Sequence, residues 1–225
     1  MDALLAFGAT LVAFRLSADL ARRARAQGTA HLVAWSAALA SFAAAAGALA
    51  WGAADGWSAP TFRVYYLTGG LLTAPLLGTG SLVLAGRRWA GFAALFYVGL
   101  AIGIAIAVPL TGNIAGDEIP KAQDALAFWP ARFVAVAANS LGTLAVVAVA
   151  LATFRRRPLG NALILVGVGI AAFGSALGGL GVGALAPSLA AASLLLYAGF
   201  VAPAVRPRLP ASTVKRRPRD RSPAH

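Results

Sequence analysis

The chain has no cysteine among its 225 residues, which excludes disulfides, thiolate nucleophiles and thiolate metal sites. Charge is scarce as well: 12% of residues are Asp, Glu, Lys or Arg, where a soluble domain carries roughly 25%. There are seven acids against 19 basic residues, and the two histidines are His31 and His225. Hydrolysis needs a nucleophile with a base, paired carboxylates or a metal site, and the apolar stretches supply serines and threonines without such partners. The composition therefore argues against an enzyme, and no cofactor is expected.

Apolar surface is abundant instead. Hydrophobic residues make up 60% of the chain and the mean hydropathy is +0.78, more than a soluble core of this size can absorb. The net charge of +12 sits in short arginine clusters between apolar blocks, the pattern of juxtamembrane charges rather than of a nucleic-acid surface. These features predict an all-α fold: a polytopic membrane helical bundle of one domain.

One stretch sets the direction of the rest. Between Arg63 and Arg87 the only ionisable side chains are Tyr65 and Tyr66, and a helix of that length crosses a hydrocarbon core of roughly 30 Å. Seven transmembrane helices follow from the same logic, over about 3–21, 31–51, 62–85, 90–110, 132–154, 159–181 and 185–205. Residues 1–205 form the membrane domain. The tail 206–225, with seven basic residues and four prolines, is expected to be disordered.

The first span is read as a retained anchor, because Met1-Asp2 precedes it and arginines follow. Within it Arg15 and Asp19 are four apart and are expected to pair. His31 and Trp35, then Trp51 and Trp57, mark two interfacial belts. Along the third span Gly70, Ala74, Gly78, Leu82 and Gly86 form a mostly small stripe for a close helix neighbour, and Gly99 and Gly103 repeat the theme in the fourth. Pro75 frees the carbonyl of Leu71, so a kink is expected, either lining a cavity with Thr73 and Thr79 or satisfied by a threonine hydroxyl in a packed helix. The long loop Thr111 to Ala131 brings Ile119-Pro120 and Phe128-Trp129-Pro130 within reach of the bundle mouth.

Orientation can be counted. Fifteen basic residues follow spans one, three, five and seven, against Arg63, Lys121 and Arg132 on the other side. The positive-inside rule then places the protein in the cell inner (plasma) membrane as a multi-pass protein, N-terminus outside and C-terminus cytoplasmic.

Seven spans permit a three-plus-one-plus-three parallel repeat, with Phe42, Gly47 and Leu49 matching Phe173, Gly178 and Leu180. That plan resembles the superfamily of PQ-loop transporters and microbial rhodopsins in architecture. The chain departs from its motifs: Lys121 and Lys215, the only lysines, lie outside any span, and no Pro-Gln pair occurs. More locally, His31 to Trp35, Gly56-Trp57, Phe62 to Gly69 and Leu77-Gly78-Thr79-Gly80-Ser81 resemble a pattern of uncharacterised seven-span integral membrane proteins of high-GC bacteria. The resemblance implies a membrane location and names no activity.

The remaining polar residues gather toward the outer half. Arg63 and Arg132 begin two spans at similar depth, with Tyr65, Tyr66 and Asn139 just below and Asp55, Asp117, Glu118 and Asp124 in the loops above. The ligand-binding candidates are Arg63, Tyr66, Arg132 and Asn139: two arginines flanking an outward-facing pocket for a small anionic or lipid-like ligand, bound or transported, oriented by Tyr66 and Asn139. In the competing reading the arginines pair with the loop carboxylates and close a packed bundle. The protein is then a membrane sensor or assembly subunit whose tail meets a protein partner, or a homo-oligomer. Membrane lipids are partners in both readings, and nucleic acid in neither.

Overall fold

In the computed structural model, residues 2–112, 114–116, 119–179 and 185–202 are described. Seven long helices occupy them: α1 (Asp2–Gln27), α2 (Ala30–Asp55), α3 (Ala59–Leu84), α4 (Trp89–Ala107), α5 (Phe133–Ala152), α6 (Pro158–Gly179) and α7 (Leu185–Val201). A single turn, Ala122–Ala125, lies in the loop before α5. Five helices, α1 to α5, are long and apolar enough to cross a membrane. In α6 and α7 the stretches whose side chains are described, Pro158–Gly174 and Pro187–Gly199, are apolar as well. The split at Gly181-Val182-Gly183, the last span beyond Ala202 and the basic tail lie outside the described residues.

Local chemistry sets the helix ends. Gly28, with φ of 64°, makes the two-residue turn between α1 and α2, and Gly86, with φ of 88°, turns the chain after α3. Ser58 caps α3 by accepting from the Thr61 amide, and Pro60 sits in its first turn, where a missing N–H costs nothing. Val108 turns extended ahead of Pro109, so α4 stops at Ala107 rather than at Leu110. α1 runs past Ala21 to Gln27 because arginine is a good helix former and its charge complements the helix C-terminus.

Packing follows the small residues. α1 lies on α2, where Ser17 Oγ donates to Ser36 O (2.8 Å) and Ser36 Oγ returns a bond to Ser17 O (3.1 Å). α2 lies on α3, with Trp35 Nε1 donating to Leu77 O (3.3 Å) over Gly80. The expected small stripe of α3 meets α5: a Cβ on Gly78 would stand 2.6 Å from Gly142 Cα, so the two backbones touch. Gly99 and Gly103 of α4 do not do this, and nothing lies within 4 Å of where their Cβ atoms would be. α6 pairs with α7, and α7 returns to α1. α4 stands at the edge, mainly against α3.

That edge position explains its surface. Phe92 and Phe96 of α4 are 79% and 80% exposed, and Leu95 and Ile106 are exposed beside them. Such a face is a liability in water and the ordinary lipid-facing surface of a membrane helix. Among the described residues, the largest fully buried side chains are Leu39 and Leu49 of α2 and Phe62 and Leu71 of α3. The proposed repeat partners differ in surroundings, Phe42 being 6% exposed and Phe173 65%. Asp19 pairs with Arg22, three residues on, and not with Arg15, which is exposed. Arg22 lies nearer water, where a charge pair forms with less desolvation.

Candidate functional site

The site grows out of a break in α3. Residues Tyr66–Leu72 form a π-turn, so the Thr73 amide reaches back five residues to Thr68 O instead of four. Three residues later Pro75 lacks the N–H that would bond Leu71 O. The carbonyls around Gly70 and Leu71 therefore need partners from outside the helix. Asn139 Nδ2 of α5 donates to Gly70 O, and Tyr97 Oη of α4 donates to Leu71 O at 2.7 Å. Thr73 Oγ1 adds a bond to Thr68 O (2.7 Å) and Thr79 Oγ1 one to Pro75 O (2.9 Å). The helix at Pro75 is thus packed and satisfied, and the threonines do not take the Leu71 carbonyl.

On the N-terminal side of the break, α3 carries the residues expected at the outer face. Arg63 is half-buried and its Nη1 donates to Ala105 O and Val108 O (3.1 Å) at the C-terminal end of α4. A guanidinium there satisfies the last orphan carbonyls and opposes the negative end of the helix dipole. It meets carbonyls and not the carboxylates of Asp55 or Asp124, which are exposed. The expected closure by loop acids is corrected to that extent; Asp117 and Glu118 lie outside the described residues.

One turn below, the Tyr66 ring stacks on Phe62 with centroids 6.0 Å apart. Tyr66 is 8% exposed and its hydroxyl has no hydrogen-bond partner. Phe62, Arg63 and Tyr66 line a crevice with Ile104, Ala105, Leu110 and Leu126. Its empty space, open mouth included, is about 230 Å³, and its enclosed part has room for roughly one water. Six of the seven lining residues have apolar bodies, and Arg63 and Tyr66 are the lining residues whose side chains carry a polar group.

Arg132 and Asn139 do not line this crevice. Arg132 lies over the Phe128 ring, 5.6 Å from the centroid, although its charge still acts on the Tyr66 hydroxyl. Asn139 sits deeper, on the α3 break. The four candidates thus fall into a close pair, Arg63 and Tyr66, with Arg132 flanking and Asn139 below.

The loop before α5 covers this region. Ile114, Ala125 and Leu126 are buried against the core, and the Trp57 amide donates to Gly116 O (2.8 Å). These residues fold back in place of Ile119, Phe128 and Trp129, which stay exposed. Tyr97 was not among the sequence candidates. Its signal was available: a tyrosine about 12 Å along an apolar helix from Trp89 lies away from either interfacial belt and needs a buried acceptor.

The buried serines offer no activated nucleophile. Ser17, Ser81 and Ser193 each donate to a backbone carbonyl, and His31 packs edge-on against Trp35 with ring centroids 5.3 Å apart. No protein-family model matches the chain, and neither a curated protein nor a solved structure is significantly similar to it.

Proposed function

We propose that this multi-pass membrane protein binds a small anionic or lipid-like amphiphile at its outer face, in the crevice between α3 and α4. The observation that carries the reading is that Arg63 and Tyr66 together line an otherwise apolar crevice while the Tyr66 hydroxyl is buried without a hydrogen-bond partner. A buried hydroxyl without a partner costs stability, and a phosphate or carboxylate oxygen would satisfy it while meeting the arginine's remaining donors. Arg132 adds positive potential from the side. The enclosed part holds about one water, so the crevice takes a headgroup oxygen, and the acyl portion lies along the exposed apolar surface outside it.

The reading includes seven spans with the N-terminus outside, supported by the clustering of basic residues after α1, α3 and α5. The test is ligand-dependent stability of the purified chain with Tyr66→Phe. Wild type should be stabilised against heat by short-chain phosphatidylglycerol, and Tyr66→Phe should keep its fold but lose most of that stabilisation. An equal response of both proteins, or none in wild type, would remove the proposal.

A second reading rests on the filled break in α3. With Gly70 and Leu71 capped by neighbouring helices and Gly78 against Gly142, the bundle is closed at mid-depth. This favours a sensor or assembly subunit over a transporter with a central path.

A further inference from the structure

We propose that the end of the bundle where α1, α3 and α5 terminate is a docking collar for anionic phospholipid headgroups, separate from the outer crevice. The helix directions put these ends together. α2 runs against α1 and α3, since Ser17 meets Ser36 while Thr10 approaches Gly47, and Trp35 meets Gly80 while Ala45 meets Gly69. α5 runs with α3, since Gly70 meets Asn139 and Gly78 meets Gly142 further along both chains. The C-terminal ends of α1, α3 and α5 therefore share one side.

At that side Arg23, Arg25, Arg87, Arg88, Arg155 and Arg156 are exposed, and no described carboxylate pairs with any of them. The contrast with the other end is what makes this informative. There Arg63 is held by the carbonyls of α4 and Arg132 lies over Phe128, so their charge is partly neutralised within the protein. The cations of the collar face outward instead.

The surroundings decide the class of partner. Trp89, 60% exposed, follows Arg88 directly, and exposed Phe154 precedes Arg155. Exposed Leu84 and Leu151 lie one turn further into the apolar helix bodies. Cations, then interfacial aromatics, then aliphatic surface is the vertical order of a phospholipid: phosphate, glycerol region, acyl chain. A soluble acidic protein or a nucleic acid matches the first layer only.

The experiment compares the full-length chain with Arg87→Gln/Arg88→Gln, Arg155→Gln/Arg156→Gln and the quadruple variant, in neutral detergent at physiological salt. The probes are short-chain phosphatidylglycerol and phosphatidylcholine of equal chain length, bound lipid being counted by native mass spectrometry. Wild type should prefer phosphatidylglycerol, and each arginine removed should weaken that preference by about fivefold. Because these side chains are exposed, the variants should elute and melt as wild type does. Loss of the fold in a variant overturns the surface assignment itself. An unchanged lipid preference in the quadruple variant, no preference in wild type, or equally tight binding of polyglutamate overturns the collar. Phosphatidylglycerol reaches both sites, so Tyr66→Phe is counted in the same assay: lipid lost with Tyr66→Phe alone assigns binding to the crevice and overturns the collar, and lipid lost with the quadruple variant alone assigns it to the collar and overturns the crevice.

Discussion

Tyr97 Oη donates to Leu71 O at 2.7 Å, and Leu71 stands four residues before Pro75, so the phenol of α4 occupies the place of the amide proton that proline lacks. The edge helix is thereby tied to the centre of α3 by a polar contact in addition to its apolar one. Such a bond contributes modestly inside a membrane, about 0.6 kcal/mol on average and up to about 1.7.

Tyr97→Phe should therefore destabilise the protein by about 1 kcal/mol, measured as a shift in the unfolding midpoint in dodecyl sulfate titration. Pro75→Ala restores an N–H able to bond Leu71 O. In that background the same substitution should cost clearly less, because the carbonyl then has a partner within its own helix. Equal costs in both backgrounds would show that Tyr97 acts through packing alone.

The break in α3 was half legible from the sequence. Pro75 names the orphaned carbonyl by arithmetic, since the missing bond always falls four residues back. Its partner was not legible, because Tyr97 is 26 residues away and nothing local says that α4 lies against α3 at that depth. Arg63 shows the same limit. Its place at the head of a span could be read, but counting charges pointed to loop carboxylates, whereas the acceptors are main-chain oxygens at the end of α4. Orphan carbonyls at a helix end have no residue type, so no composition reveals them. The apolar helices themselves were legible, because a hydrocarbon solvent requires long uninterrupted apolar segments whatever their packing.

The α3–α5 crossing should be the most sensitive point of the bundle to added volume. A Cβ on Gly142 meets the Ala74 carbonyl and the Pro75 nitrogen, both backbone atoms that cannot rotate away. Gly142→Val should lower stability by about 1–3 kcal/mol, the usual cost of overpacking, whereas Gly99→Val and Gly103→Val in α4 should be near neutral. Thermal unfolding in one detergent compares all three; a large loss in the α4 variants would mean that this face packs against protein.

Arg63 supplies a contrast between a positioned fork and a bare charge. Arg63→Lys keeps the cation but not the planar donor set that spans Ala105 O and Val108 O, so it should recover part of the stability lost in Arg63→Gln. The loss in Arg63→Gln should be about 1 kcal/mol, in the range of a capping and dipole interaction. Hydrogen exchange should localise it: the last-turn amides of α4 should exchange faster, while those of α1 and α2 stay protected. Uniform loosening of all helices would mean that Arg63 supports the whole bundle rather than one helix end.

Threading is the remaining prediction, and it depends on α6 and α7. Their charge-free stretch from Pro158 to Val205 is too long for one crossing at 1.5 Å per residue, and the two helices pack on each other after α6 begins beside the arginines that follow α5. If the hairpin crosses and returns, the total is odd and the chain ends lie in different compartments. A reporter fused after residue 225 should then be active in the cytoplasm, and one fused before Met1 should be active outside. A third reporter between Gly181 and Val182 distinguishes the failures. Activity outside there means that the hairpin crosses, so that termini on one side would then trace to α1, whose Arg15 interrupts its apolar run. Activity inside means that α6 and α7 lie along the cytoplasmic interface, and five crossings still leave the two ends apart.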